Sequence, residues 1–145
     1  MIAYFDTSAL LPLLIDEPGS ARAGRLWDEA DHVVSVRLIY VEARAALAQA
    51  RRLGRLAEGQ LVGLVGELDD LYAQLDRIGV DETLVRRAGV LAQEHALRGY
   101  DAVHLAAVER VAGEDAVLVS GDVELCAAAQ ELGIAVSNTS PEGER

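Results

Sequence analysis

The sequence contains no lysine and only one cysteine, Cys126. One cysteine excludes a disulfide within the chain and is typical of a reducing compartment, so we expect a cytoplasmic protein. The absence of lysine excludes every class of enzyme whose chemistry depends on that side chain. No apolar run approaches the roughly 18 residues that cross a membrane, and no basic segment precedes an apolar one at the start. We therefore expect neither a membrane anchor nor a signal peptide.

The residues that are present describe a single acidic globular domain. The chain has 145 residues, of which 51% are hydrophobic and 26% are charged. A chain of this length can bury a substantial core. Thirteen basic residues, all of them arginine, stand against 24 acidic ones and leave a net charge of −11. Such a surface repels nucleic acid at long range and attracts basic partners.

Apolar segments alternate with segments of helical periodicity along the whole chain. The strand-like segments are Met1–Phe5, His32–Val36, Leu75–Val80, Ala116–Ser120 and Ile134–Ser137. The helical segments lie between them and include Ser20–Ala30, Ile39–Leu53, residues 61–71, a helix that opens at Asp81, Asp101–Ala112 and Asp122–Leu132. Strands separated by helices predict one α/β domain with a parallel sheet covered on both faces. We place this domain at residues 1–138 and a polar C-terminal tail at residues 139–145.

Two carboxylates follow predicted strands directly. Asp6 comes after the first strand in FDTSAL, and Asp122 comes after the fourth in VLVSGD. Ligands of open parallel sheets bind beyond the carboxyl ends of the strands, so both acids are expected at the same edge. The alternative for Asp6 is that it only caps the helix that follows it, because Asp is a preferred N-cap residue.

Two further acids lie on apolar helix faces. Glu42, in YVEARAAL, shares its face with small and apolar residues, and Asp101, in YDAVHLAA, heads a stripe of similar character. A buried charge is costly unless it is paired, because it loses its hydration. Glu42 could pair with an arginine and Asp101 could be a helix N-cap. Four such acids in one short chain favour a shared function over four separate structural explanations.

Four carboxylates brought together predict a divalent-metal site. Without a cation they would repel one another, and the pKa values of their side chains would rise. Mg²⁺ and Mn²⁺ are hard ions that prefer oxygen ligands, whereas the lack of a Cys or His cluster argues against zinc. The chemistry that suits such a site is hydrolysis of a phosphodiester, with a water activated by the metal.

The segments that carry these acids resemble a known family. FDTSAL, the glutamate in YVEARAAL, YDAVHLAA and VSGDVELCAAA are similar to the four signature segments of PIN-domain ribonucleases, in particular the VapC toxins of bacterial toxin–antitoxin pairs. The resemblance covers nearly the whole chain in the family's order. It implies a five-stranded parallel sheet in the order 3-2-1-4-5 and an endoribonuclease that depends on Mg²⁺ or Mn²⁺. It also implies a cognate VapB-like antitoxin and a homodimer.

The resemblance also implies roles for individual residues. The acids at the family's catalytic and metal-binding positions are Asp6, Glu42, Asp101 and Asp122. Three hydroxyl residues are candidates for orienting these acids or water bound to the metal, with helix capping as the alternative. They are Thr7, Ser8 and Ser120. His104, one turn after Asp101, is interpreted as a packed or hydrogen-bonded helix residue, and Cys126 and Trp27 as core or near-core residues without a chemical role.

Other functions are less compatible with the sequence. A haloacid-dehalogenase-type phosphatase needs a second Asp two residues after the first, where this chain has Ser8, and it also needs a lysine. A phosphoacceptor receiver domain needs a lysine as well. A PIN-like housekeeping ribonuclease and a catalytically inactive PIN-like scaffold remain as alternatives to a toxin.

Overall fold

Five parallel strands form the centre of the protein. The computed structural model describes residues 1–113 and 115–140. The strands are β1 (Ile2–Phe5), β2 (His32–Val36), β3 (Asp76–Ile78), β4 (Ala116–Ser120) and β5 (Ala135–Asn138). They form one sheet in the order β3-β2-β1-β4-β5, and every neighbouring pair is parallel. The predicted fold class and strand order are confirmed.

Helices cover both faces of this sheet. They are α1 (Thr7–Leu10), a 3-10 turn (Leu11–Leu13), α2 (Ser20–Glu29), α3 (Ile39–Arg52), α4 (Glu58–Gln74), α5 (Glu82–His95), α6 (Gly99–Val111) and α7 (Val123–Glu131). None of the helices within residues 1–113 and 115–140 is long and apolar enough to cross a membrane.

The first strand shows why the core has two halves. Side chains alternate between the two faces of a strand. Tyr4 therefore packs in the cluster formed with α5, α6 and α7, whereas Ala3 and Phe5 pack on the opposite face, against Ala9 and Ala23. Ala3, Tyr4 and Phe5 are all fully buried. A strand buried on both faces reads as a continuous apolar run, and for that reason β1 is visible in the sequence.

The structure corrects several predicted boundaries, of which three lie near the carboxyl edge of the sheet or at its sides. Helix α6 begins at Gly99, not Asp101, because Arg98 has the extended backbone of an N-cap residue. Strand β3 is only three residues long, since α4 continues to Gln74 and leads directly into it. Strand β5 extends one residue further than predicted, to Asn138.

Contacts with the sheet continue past Asn138. The Thr139 side chain is buried, and its backbone N–H donates to the Ser120 carbonyl at 2.9 Å. The Ser140 N–H donates to the Asn138 side chain at 2.8 Å. The remainder of the predicted tail, residues 141–145, lies outside the described residues.

Candidate active site

Asp6 lies at the end of β1, where the sheet order reverses between β1 and β4. Its side chain is only 3% exposed. One carboxylate oxygen accepts the Ala9 N–H at 3.1 Å, so Asp6 caps α1 as well as ending the strand. Parallel pairing of Phe5 with Val119 brings the residues that follow β4 alongside it. This is the position at which open α/β sheets bind ligands.

Two of the three candidate hydroxyl groups hold the Asp6 carboxylate. The Ser8 hydroxyl lies 2.8 and 2.9 Å from its two oxygens, and the Ser120 hydroxyl donates to one of them at 2.8 Å. The turn after β4 fixes both serines in place. The Gly121 N–H donates to Ser8 Oγ at 2.8 Å and the Asp122 N–H donates to Ser120 Oγ at 3.0 Å. The carboxylate is thereby oriented from two sides.

The third candidate hydroxyl group behaves differently. Thr7 Oγ1 is buried and has no hydrogen-bond partner among residues 1–113 and 115–140. It makes no bond to Asp6 and therefore does not orient that carboxylate in this structure. A buried hydroxyl without a partner at the edge of an acidic site leaves one polar atom available to a bound water or ligand.

Burial makes Asp6 an unusual acid. Loss of hydration raises the pKa of its carboxyl from 3.8 to about 6, although the nearby charge of His104 and the hydrogen bonds from Ser8, Ser120 and Ala9 lower it. The sequence predicted that repulsion among the acids would raise these pKa values. For Asp6 the main cause is burial instead. A carboxylate that carries this penalty gains more than an exposed one from a bound cation.

Glu42, in the first turn of α3, is bound by a buried histidine. Its carboxylate accepts a hydrogen bond from His104 Nε2 at 2.8 Å, and His104 Nδ1 lies 2.8 Å from the Tyr4 hydroxyl. The alternative that Glu42 pairs with an arginine is therefore wrong for this structure. Burial lowers the pKa of His104, but its hydrogen bond to Glu42 and the charges of Glu42, Asp6 and Asp101 outweigh this effect, so the pKa lies above its ordinary value.

Asp101 and Asp122 complete the acidic group. Asp101 is the third residue of α6, so it is not the N-cap. Burial and the charge of Asp122 raise the pKa of the Asp101 carboxyl, although Arg98 lies 3.4 Å from one of its oxygens and lowers it. Asp122 caps α7 by accepting the Leu125 N–H at 3.0 Å. Asp122 lies close enough to Asp101 for its charge to raise the pKa of that carboxyl, and the charges of Glu42, Asp6 and Asp101 raise the pKa of His104.

A small cleft borders two of the four acids. It has a volume of about 260 Å³ and is lined by Glu42, Arg98, Tyr100 and Asp101. Arg98 and Tyr100 were not among the predicted site residues. The signal that could have found Arg98 is its spacing, because an arginine three residues before an acid at a helix start can pair with it.

The donor chemistry of the site fits Mg²⁺ or Mn²⁺. The four acids offer oxygen atoms only, and Asp6 is a buried carboxylate with a costly charge. Among residues 1–113 and 115–140, no three Asp, Glu, His or Cys side chains already form a group that could hold a metal ion. Mg²⁺ does not require such a group, since it is usually bound through one or two carboxylates and several waters. Glu42 and Asp101 are each engaged by a cationic or donating neighbour, His104 and Arg98 respectively.

The predictions that Cys126 and Trp27 are core or near-core residues are confirmed. Cys126 is buried beneath the turn that follows β4, and burial raises the pKa of its thiol to about 11. A thiol of that kind is a poor nucleophile and metal ligand. Trp27 packs edge-on against Phe5 with ring centroids 5.2 Å apart. Neither residue contributes chemistry to the acidic group.

Fold and site together define an α/β domain with an acidic group at the carboxyl edge of a parallel sheet. The chain belongs to the PIN domain family, whose model matches residues 3–132. Ribonuclease VapC45 of Mycobacterium tuberculosis (strain CDC 1551 / Oshkosh) is 40% identical over 136 residues, which cover 94% of this chain and 94% of that protein. The predicted family is confirmed.

Solved structures share the fold. PAE2754 from Pyrobaculum aerophilum superposes with a TM-score of 0.70 and 23% identity, covering 94% of this chain and 83% of that chain. A toxin–antitoxin complex from Klebsiella pneumoniae contains a chain that superposes with a TM-score of 0.61 and 18% identity, covering 83% of this chain and 86% of that chain.

Proposed function

We propose that this chain is an endoribonuclease that depends on Mg²⁺ or Mn²⁺ and acts as the toxin of a toxin–antitoxin pair in the cytoplasm. The observation that carries the proposal is Asp6, a buried carboxylate held by two serine hydroxyls at the switch point of the sheet. The 40% identity to a ribonuclease over 94% of the chain supports hydrolysis of RNA. That relative also favours a VapC-type toxin over a housekeeping nuclease or an inactive scaffold.

We assign metal binding to Asp6, Glu42, Asp101 and Asp122. When bound, the ion would supply activation of the attacking water and charge stabilisation on the phosphate. Ser8 and Ser120 hold the Asp6 carboxylate so that its oxygens keep one orientation. Thr7, whose hydroxyl has no partner within the described part of the chain, is retained as a candidate for binding water near the site.

Besides its ion pair with Asp101, Arg98 is proposed to bind the RNA substrate. Its side chain is 85% exposed and lies 3.4 Å from Asp101. A cation bound by Asp101 would weaken that ion pair and release a guanidinium at the mouth of the cleft. Guanidinium groups bind phosphate well because their N–H donors match two of its oxygens. Arg98 therefore offers a local contact to RNA on a chain whose net charge of −11 disfavours polyanions.

The decisive experiment is RNA cleavage with and without EDTA. We expect the purified chain to cut a structured RNA in millimolar Mg²⁺ or Mn²⁺, to lose activity in EDTA, and to regain it when Mn²⁺ is restored. Asp101→Asn serves as the inactive variant, since it preserves size but removes a charged ligand. Cleavage that persists in EDTA, or equal cleavage by Asp101→Asn, would contradict the proposed role of the metal.

For the partner, we propose a VapB-like antitoxin with a basic segment. The fold shared with a chain of a toxin–antitoxin complex supports a partner of this kind. The net charge of −11 would accelerate association with a basic segment, because long-range attraction acts mainly on the encounter rate. We also propose that two copies of this chain form a homodimer. Sedimentation velocity of the purified chain would test this.

Antitoxin binding should compete with the metal. An arginine of the antitoxin that pairs with the carboxylates would bind the same side chains as the cation. We expect millimolar Mn²⁺ to weaken antitoxin binding, and NaCl to slow association more than it speeds release. Association and dissociation rates measured against both salts test this. Rates that respond to neither would place the antitoxin away from the acids.

A further inference from the structure

His104 is a polar residue in an otherwise apolar part of the core. It lies on α6, is 1% exposed, and borders the cluster that contains Tyr4, Leu105 and Leu118. Its ring stands edge-on to the Tyr4 ring, with centroids 5.8 Å apart. A leucine at this position would carry no desolvation cost. An imidazole does carry one, which is offset only when both ring nitrogens have hydrogen-bond partners. Both nitrogens of His104 do have partners.

The direction of these hydrogen bonds follows from the chemistry of the partners. An ionised carboxylate only accepts, so His104 Nε2 must carry the hydrogen that it donates to Glu42 at 2.8 Å. In the neutral ring Nδ1 is then the acceptor, and the Tyr4 hydroxyl donates to it at 2.8 Å. In the protonated ring Nδ1 donates to the Tyr4 oxygen instead, and in both forms Nε2 presents its N–H to Glu42.

We propose that Tyr4 and His104 are positioning residues that fix the Glu42 carboxylate for metal binding. They connect three elements that the chain brings together from far apart: β1, α6 and α3. Glu42 lies 62 residues from His104, which lies 100 residues from Tyr4. The inference rests on the proposed function, because it assigns the two residues to the same metal site.

The geometry excludes His104 as a direct ligand in this arrangement. Its Nε2 is used by Glu42, and its ring has almost no access to solvent. The Glu42 side chain is 18% exposed and lines the cleft, so it has a second oxygen available on that side. A residue that holds a ligand from behind sets the orientation of that ligand, and its loss lowers metal affinity about 10- to 100-fold.

The test uses variants that separate positioning from packing. Tyr4→Phe removes one buried hydroxyl and keeps the ring, while His104→Leu removes the donor to Glu42 and keeps an apolar side chain. His104→Gln is the conservative variant, because a glutamine amide can place an N–H near the position of Nε2. Tyr40→Phe is the matched control, since it deletes a tyrosine hydroxyl that donates to Asp69 at the surface. Each protein is measured by Mn²⁺ calorimetry, by RNA kinetics and by melting in EDTA.

We expect His104→Leu to weaken Mn²⁺ binding about 10- to 100-fold and Tyr4→Phe to weaken it several-fold. His104→Gln should recover much of the loss, and Tyr40→Phe should match the wild type. At saturating Mn²⁺ the kcat of His104→Leu should fall while KM for RNA stays close to the wild-type value. In a Glu42→Gln background, His104→Leu should have no further effect on Mn²⁺ affinity, because the group it positions is already changed.

Two failures can be told apart. If wild-type protein binds no Mn²⁺, the proposed function fails. If wild-type protein binds Mn²⁺, and the Tyr4 and His104 variants bind it equally well while melting at lower temperature, the pair is structural only and the positioning role is wrong. Tyr4→Phe keeps the test valid if His104→Leu does not fold.

Discussion

Replacing Asp6 with asparagine is expected to abolish RNA hydrolysis and, at the same time, to stabilise the metal-free protein at neutral pH. Hydrolysis should fall by more than about 100-fold, because loss of groups that merely orient metal ligands already costs about 10- to 100-fold. Stability should rise because the Asp6 pKa is raised from 3.8 to about 6 by burial. That difference corresponds to a cost of about 3 kcal/mol when the carboxylate is charged.

The sign of this effect fixes its pH dependence. A raised pKa means that the folded protein binds a proton on Asp6 more tightly than the unfolded chain does. The cost is therefore absent below about pH 4, grows as the pH rises, and is complete above about pH 6. Asparagine loses part of the gain, since its NH₂ group cannot accept from Ser8, Ser120 or Ala9. We expect a net gain of about 1–3 kcal/mol at pH 7.5 and almost none at pH 4.

Denaturant unfolding in EDTA at several pH values measures this difference. Asp28→Asn is the matched control, because Asp28 is exposed near the end of α2, which leads into the start of β2 at the opposite edge of the sheet. Other groups, such as Glu109 paired with Arg87, have lowered pKa values and add their own pH dependence. They are common to all variants and cancel in the comparison. Parallel stability curves for wild type and Asp6→Asn would show that the Asp6 carboxylate is not destabilising.

The sheet could be predicted because its strands are buried on both faces. Ala3, Tyr4 and Phe5 form an apolar run that ends abruptly in Asp6, and this contrast marks the carboxyl edge in the sequence. Asp122 follows β4 in the same manner. The strand order came from the family resemblance, since local patterns contain no information on which strands are neighbours.

The contacts within the site could not be read from the sequence. Tyr4, His104 and Glu42 are adjacent only after β1, α6 and α3 have packed, and the sequence separations of 100 and 62 residues leave no local trace. The sequence predicted correctly that His104 is a packed or hydrogen-bonded helix residue but not which residues it binds. It also treated Thr7, Ser8 and Ser120 alike. The structure separates them, because the turn after β4 donates to Ser8 and Ser120 but leaves Thr7 Oγ1 without a partner among the described residues.

Mn²⁺ is expected to stabilise the folded protein, and the gain should disappear as Asp6 becomes protonated. An ion that binds only the folded state adds about 2.7 kcal/mol to the free energy of unfolding at a concentration 100 times its dissociation constant. The physical reason is that a cation compensates the buried charge of Asp6 and the repulsion between Asp101 and Asp122.

The pH dependence of the Mn²⁺ effect identifies the carboxylate responsible. Metal binding requires the ionised side chain, so a proton on Asp6, with its pKa of about 6, competes with the ion. At pH 5 the apparent dissociation constant should be about tenfold higher than at neutral pH, and the stabilisation at a fixed Mn²⁺ concentration about 1.4 kcal/mol smaller. The raised pKa of Asp101 acts in the same direction.

Urea unfolding with and without Mn²⁺ from pH 5 to pH 7.5 measures both the apparent dissociation constant and the stabilisation. Asp28→Asn should follow the wild type, whereas Asp6→Asn should lose most of the stabilisation and its pH dependence near 6. An unfolding curve that Mn²⁺ leaves unchanged at pH 7.5 would show that the metal does not bind at this site.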